Sequence, residues 1–209
     1  MSNSLIPPVT ASLSDRVGAV IQQALDQQRL VGVVVLIARH GRIIYRQAAG
    51  LADRENNRAM APETLFRLAS VSKPIVSAAA LVLVARGQLD LDSPVSRWLP
   101  EFTPTLADGS PATITARQLL SHTAGLGYRF FGRDEQGPYA TAGVSDGMDS
   151  SDISLDENLR RIARVPLQFA PGSSWAYSLA TDVLGALVAR IHGTTLNTAV
   201  SELITELLA

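Results

Sequence analysis

Ser70-Val71-Ser72-Lys73 sets a hydroxyl and an ammonium three residues apart. On a helix, positions at that spacing share a face, so the Lys73 amine can come within hydrogen-bond reach of the Ser70 hydroxyl. A serine hydroxyl is a poor nucleophile unless a base takes its proton, and a lysine serves only if its pKa falls toward neutrality. Apolar burial has that effect, because it disfavours the charged form. Pro74 adds a constraint, since proline inside a helix lacks its N–H and clashes with the carbonyl four residues back. The helix must therefore start close to Ser70. Ser70 then lies at the positive end of the helix dipole, where unpaired backbone N–H groups can stabilise an oxyanion. The chemistry implied is nucleophilic attack on an ester or amide carbonyl. Alone, an S-x-x-K pattern is common on ordinary surface helices, and the apolar run from Ile75 to Ala85 directly after Lys73 is what lifts it above that background.

A second serine competes. Gly143-Val144-Ser145-Asp146-Gly147 is a literal G-x-S-x-G, a pattern that needs a buried strand before the serine and a helix after it. Neither flank qualifies, because 137–143 contains no aliphatic strand and 148–154 is polar. Ser145 reads as a loop serine. The histidines stand apart from one another: His40 in a turn, His192 near a helix end, and His122 in Ser121-His122-Thr123-Ala124-Gly125. None pairs with a histidine or carboxylate at metal-ligand spacing, so no metal or other cofactor is implied. His122 is expected to hold a helix end beside the site, and Asp90 and Asp92 to cap and turn the chain before Pro94.

The elements that must position these groups follow from periodicity. Leu13, Val17, Val20, Ile21 and Leu25 recur at helical spacing behind Ser12 or Ser14 and predict a helix to about Leu30. Val33 to Arg39 and Arg42 to Ala48 read as strands joined by His40-Gly41 in a β-hairpin. The polar stretch 53–62 is expected to cross between lobes. From Ser70 the chain reads as helical: a helix apolar on every side to Ala85 and stopped at Gly87, short helices at 116–121 behind Thr115 and 157–163 behind Asp156, then apolar stripes from Leu179 to Ile191 and from Leu196 to Leu207. The irregular stretches 99–113 and 125–153 are long enough to line a site.

Composition limits the partners. A chain of 209 residues with 46% apolar side chains can fill one core or two lobes. With 18 basic against 19 acidic residues it carries no electrostatic footprint for nucleic acid or an anionic membrane. It contains no cysteine, which removes disulfides and thiolate chemistry together and fits a reducing compartment. The first residues lack the basic start and apolar run of a signal peptide, and no apolar stretch approaches the ~20 residues that span a bilayer. A cytoplasmic location is expected.

Three segments carry a family resemblance: Leu65-Phe66-Arg67-Leu68-Ala69-Ser70-Val71-Ser72-Lys73-Pro74, Gly87-Gln88-Leu89-Asp90-Leu91-Asp92-Ser93-Pro94-Val95, and Leu119-Leu120-Ser121-His122-Thr123-Ala124-Gly125-Leu126. In this order, and continued by Pro171-Gly172 and Trp175-Ala176-Tyr177-Ser178, they resemble the beta-lactamase-related serine hydrolases, which include class C beta-lactamases, D-alanyl-D-alanine peptidases and family VIII carboxylesterases. The resemblance implies an α+β fold in which an antiparallel sheet flanked by helices is joined to a helical lobe, with residues 1–60 in the first and 61–209 in the second and the site in the cleft between. It implies Tyr177 as a third catalytic residue beside Ser70 and Lys73, at the first position of a Y-x-N motif whose asparagine position holds Leu179. Leucine cannot hydrogen-bond the acyl amide of a penicillin or peptide. The pattern is similar to that of esterase-like members, so the expected reaction is hydrolysis or transesterification of small carboxylic esters, with beta-lactam hydrolysis, D-amino-acid peptidase activity and a non-catalytic binding module as alternatives. The third motif of the family, an H-x-G or K-T-G triplet on a strand edging the cleft, has no counterpart after Tyr177. The C-terminal part of the sheet is therefore expected to be absent from this chain and to be supplied by a second polypeptide.

Overall fold

The computed structural model describes residues 12–129, 137–147, 149 and 152–208. The chain divides into two compact units at Arg67/Leu68. The division falls after the expected 60/61 boundary, because Met60 donates its N–H to the Gly50 carbonyl (2.9 Å) and Glu63 pairs with Arg46 (2.6 Å), tying those residues to the first unit.

In the first unit helix α1 (Leu13–Asp26) opens with a capping box: the Ser12 hydroxyl accepts from the Asp15 N–H and the Asp15 carboxylate accepts from the Ser12 N–H, both at 3.2 Å. It ends before Leu30, where Gln28 adopts a left-handed φ of 54°. Strands β1 (Gly32–Arg39) and β2 (Arg42–Asp53) pair antiparallel. His40 and Gly41, at φ 51° and 73°, close the hairpin with the doubly left-handed turn that matches strand twist. A third strand, β3 (Arg58–Ala59), pairs with β2 in the order β1-β2-β3. It lies inside the stretch expected to be irregular. The chain reaches it through a turn in which Asp53 accepts from the Asn56 N–H (3.1 Å) and side-chain amide (2.8 Å). Two residues are too few to show a strand's alternation in sequence.

The second unit is helical. A 3₁₀ turn (Ala69–Val71) leads into α2 (Ser72–Ala85), followed by α3 (Ala116–Leu120), α4 (Pro138–Thr141), α5 (Leu155–Ala163), α6 (Ala180–His192) and α7 (Leu196–Val200), which continues as a π-helical turn (Ser201–Thr205). No helix among the described residues is long and apolar enough to cross a membrane. Helices α2 and α6 pack together over one core that also takes Leu99, Phe102, Leu119, Leu159 and Leu203. The enclosed helix is α6 rather than α2. Helix α2 buries Val76, Ala79, Ala80 and Leu83 along one face and leaves Leu81 half exposed, whereas α6 is buried from Ala180 to Val188 except near Asp182. Gly87 (φ 69°) and Gly193 (φ 77°) follow the ends of these helices in the left-handed conformation that lets a helix stop.

Two local expectations change. The cap of α5 is Ser154, whose hydroxyl accepts from the Glu157 N–H (3.2 Å), and Asp156 sits within the first turn. Asp90 turns the chain by accepting from the Asp92 N–H (3.1 Å), but Asp92 makes a two-pronged ion pair with Arg117 (2.7 and 2.8 Å). The stretch 99–113 is irregular yet anchored, with Leu99 and Phe102 buried and the Thr105 carbonyl accepting from the Leu167 N–H (2.8 Å).

Candidate active site

Ser70, Lys73 and the groups around them belong to the second unit. Ala69 has a left-handed φ of 46°, unusual for a residue with a side chain, and that twist delivers Ser70 into the 3₁₀ turn ahead of α2. The Ser70 N–H belongs to the first turn, where a helix offers no carbonyl one turn back. Lys73 lies in the first turn of α2, with its amine donating to the Ser70 hydroxyl at 3.4 Å. Pro74 fits there because its missing N–H would have no helical partner.

Tyr177 reaches this pair through an irregular ladder. The carbonyls of His122, Thr123, Gly125 and Gly127 accept from the N–H groups of Ala176 (3.0 Å), Gly172 (2.7 Å), Gln168 (2.8 Å) and Leu179 (3.0 Å). Gly125 is required in this ladder: its φ is 82°, and a Cβ there would lie 2.3 Å from the Phe169 carbonyl oxygen. The ladder sets Tyr128 and Tyr177 side by side, ring centroids 5.5 Å apart and stacked, with the Lys73 amine 5.3 Å from the first ring and 4.9 Å from the second. The same amine donates to the Tyr128 phenol at 2.6 Å. The Tyr177 phenol lies close enough to Ser70 and Lys73 for both to act on its titration.

Charge is distributed differently from the sequence expectation. Burial pushes the Lys73 ammonium down, but its hydrogen bonds to Tyr128 and Tyr177 outweigh that, and its pKa is raised. The surroundings are phenolic rather than apolar, which sequence spacing alone did not reveal. Burial also pushes the Tyr177 phenol up, and there the hydrogen bonds from Ser70 and Lys73, with the lysine's charge, win and lower it. Tyr128 moves the other way: burial raises it beyond what Lys73 offsets. The arrangement therefore favours a lysine that stays charged and a tyrosine, Tyr177, that gives up its proton more easily than a free phenol.

Of the residues singled out from sequence, Ser70, Lys73 and Tyr177 converge. Ser145 does not join them: its hydroxyl donates to Asp149 (2.6 Å), its N–H donates to the Asn158 side chain (2.9 Å), and the described residues ahead of it form the short α4 rather than a strand. Leu179 is fully buried in the core, so its side chain is not offered to a ligand. His122 does more than end a helix: its ring lies 4.8 Å from that of Tyr177, and its Nδ1 accepts from the Ser178 N–H at 3.2 Å. Its pKa is lowered by burial and by the Lys73 charge. Two participants, Tyr128 and Asp182, carry no motif or spacing signal of their own in the sequence. Tyr128 was reachable from its place in Gly125-Leu126-Gly127-Tyr128 only once the ladder was known. Asp182, in the first turn of α6, is pushed up to about 6 by burial, against the opposing charge of Lys73. Among the described residues no group of His, Asp and Glu could hold a metal ion.

Comparison with known proteins returns one family and a consistent set of relatives. The sequence model of the family described as Beta-lactamase matches residues 17–209. The chain is 58% identical over 196 residues to "Esterase EstB" of Burkholderia gladioli, covering 94% of this chain and 50% of that protein. Among solved structures, "EstCE1, a hydrolase with promiscuous acyltransferase activity" superposes with a TM-score of 0.89 at 50% identity, over 93% of this chain and 51% of its own. Simvastatin synthase (LovD) of Aspergillus terreus superposes with a TM-score of 0.68 at 27% identity, over 94% of this chain and 53% of its own. The chain thus spans about half the length of these relatives.

Proposed function

This chain belongs to the beta-lactamase family and has its transpeptidase-like fold, and from that premise we propose that it carries the nucleophile, lysine and tyrosine of a serine carboxylesterase that also transfers acyl groups between small esters and alcohols. The supporting observation is the convergence of Ser70, Lys73 and Tyr177 on one point, with Lys73 held as an ammonium between two phenols. Ser70 Oγ attacks the ester carbonyl carbon as its proton passes to the Tyr177 oxygen. Lys73 stabilises the phenolate before that transfer and hands no net charge away. The carbonyl oxygen becomes an oxyanion facing the Ser70 N–H, the C–O bond to the alcohol breaks, and the alcohol leaves with the proton from Tyr177. Water or a second alcohol then attacks the acylated Ser70 by the reverse sequence.

An ester is favoured over a beta-lactam or peptide by Leu179, which turns into the core and offers no amide to an acyl amide. Two relatives that it resembles at 50% identity or more are named as an esterase and as a hydrolase with promiscuous acyltransferase activity. We further propose that the sheet-bearing lobe runs on from the expected 1–60 to Arg67 and the helical lobe begins at Leu68, that the protein is cytoplasmic, and that a second polypeptide adds strands and the second oxyanion donor.

A short-chain nitrophenyl ester and a chromogenic cephalosporin, tested side by side on the protein as its own gene produces it, decide the substrate. The ester is expected to turn over and the cephalosporin to be far slower. Ser70→Ala is expected to abolish ester hydrolysis and Ser145→Ala to leave it largely intact. The opposite pair of results would overturn the reading.

A further inference from the structure

Resting on that reading, we propose that His122 is the positioning residue for Tyr177, acting as an obligatory hydrogen-bond acceptor that fixes the tyrosine's segment against the nucleophile. Three contacts grip that segment on both sides of Tyr177. The His122 carbonyl accepts from the Ala176 N–H at 3.0 Å, its Nδ1 accepts from the Ser178 N–H at 3.2 Å, and its ring lies 4.8 Å from the Tyr177 ring at a tilt of 37°. The Ser178 hydroxyl, itself 1% exposed, also sits 3.2 Å from Nδ1 and accepts from the Ala180 N–H at 3.3 Å, which links the grip to the first residue of α6. The backbone of His122 is left-handed, at φ 57°. That conformation points its carbonyl and its ring toward the same neighbouring segment.

An amide N–H can only donate, so the bond from the Ser178 N–H assigns Nδ1 as the unprotonated nitrogen, with the Ser178 hydroxyl beside it as a further donor. The imidazole is therefore neutral, with its proton on Nε2. A second proton would put an N–H against the Ser178 N–H and break that bond, leaving Nδ1–H only the Ser178 hydroxyl, also at 3.2 Å, as an acceptor. The titratable groups facing the ring are Lys73 from α2 and Tyr177 itself, and Lys73 together with burial lowers the His122 pKa. The neutral acceptor thus persists through most of the working range and is lost only on the acid side. Asp182 interacts with Lys73, and its pKa of about 6 makes it the competing source of any acid limb. Displacement of a catalytic group by about 1 Å costs on the order of 10²-fold in rate, mainly in turnover rather than binding.

Asparagine and glutamine separate the possibilities. Asn places its carbonyl oxygen near the Nδ1 position and tolerates the left-handed backbone, whereas Gln places its polar end near Nε2. Steady-state kinetics on a nitrophenyl ester, with far-UV circular dichroism and Tm on each variant, is the experiment. His122→Ala is expected to lose about 10²-fold in kcat with KM little changed. His122→Asn is expected to recover most of that loss, and His122→Gln to stay near the alanine level. Below the Tyr177 titration, wild-type kcat/KM should steepen from first to second order in protons as His122 titrates, and His122→Asn should remain first order. If His122→Ala does not fold, the comparison of His122→Asn with His122→Gln carries the decision. Equal activity of those two, or a second-order acid limb surviving in His122→Asn, would overturn the proposal and hand the limb to Asp182. Ser70→Ala serves as the control for the underlying reading: if it stays active, the esterase assignment fails, and if it is inactive while His122→Ala is unimpaired, only the His122 proposal fails.

Discussion

Lys73 and Tyr177 exchange the roles that spacing alone suggests. A serine and lysine three residues apart invite the picture of a neutral lysine base, yet the phenols around Lys73 hold it charged and the lysine in turn lowers Tyr177. The pH dependence follows with a definite sign. The proposed mechanism uses Tyr177 deprotonated and Lys73 protonated, so kcat/KM should rise with pH through a value below that of an ordinary phenol and fall again above that of an ordinary lysine. Tyr177→Phe should remove the rising limb and reduce kcat by ~10² to 10⁴-fold, the usual cost of losing a general base. A near-normal Tyr177→Phe would make the tyrosine a packing residue. Asp182 makes a separate prediction about stability. The unfolded chain releases this proton near 3.8 and the folded chain only near about 6, so folding weakens as pH rises between those values and the penalty remains above them. Asp182→Asn should therefore raise Tm at pH 8, by a free energy on the order of 1–3 kcal/mol, and leave it nearly unchanged at pH 4. An equal change at both values would mean that ionisation is not the cause.

The elements show where local chemistry is decisive and where it is not. Helix α3 is only five residues long, yet it delivers His122 and Thr123 to the ladder. Thr115 holds its start by a capping box with Gln118 (3.3 and 3.0 Å), and Ala116 and Leu119 anchor it in the core. Thr115→Ala should cost about 1 kcal/mol in denaturant unfolding. Asp92→Ala breaks the exposed pair with Arg117 and should cost less, ~0–1 kcal/mol despite its good geometry. The reverse ranking would count against the cap. Elements marked by short-range signals were legible in the sequence: the His40-Gly41 turn, the Thr115 cap, and the stops at Gly87 and Gly193. Those defined by distant partners were not. Strand β3 exists because β2 runs on to Asp53, and Ser154 caps α5 although Asp156, two residues later, is equally good capping chemistry.

At the scale of the molecule, the same division holds. Ser70 and Lys73 announce themselves because they share one helix. Tyr177 needed the family resemblance, and Tyr128 and Asp182 needed the ladder and the α2–α6 packing, both long-range and invisible to periodicity. The chain spans about half the length of its relatives, and β1 pairs only with β2 among the described residues. If a second polypeptide supplies further strands, light scattering and native mass on material purified from its own host should give an assembly heavier than this chain. An active monomer of this chain's mass would sink that idea.

Trp175, 63% exposed and edge-on to His122 at 6.4 Å, turns the site into its own optical probe. An indole loses emission when a protonated imidazole lies against it, and the chain has one other tryptophan, Trp98, which sits against Arg97 5.0 Å away rather than against a histidine. The protonation state of the residue behind Tyr177 is thereby written into the fluorescence of the resting protein, without a label and without a substrate.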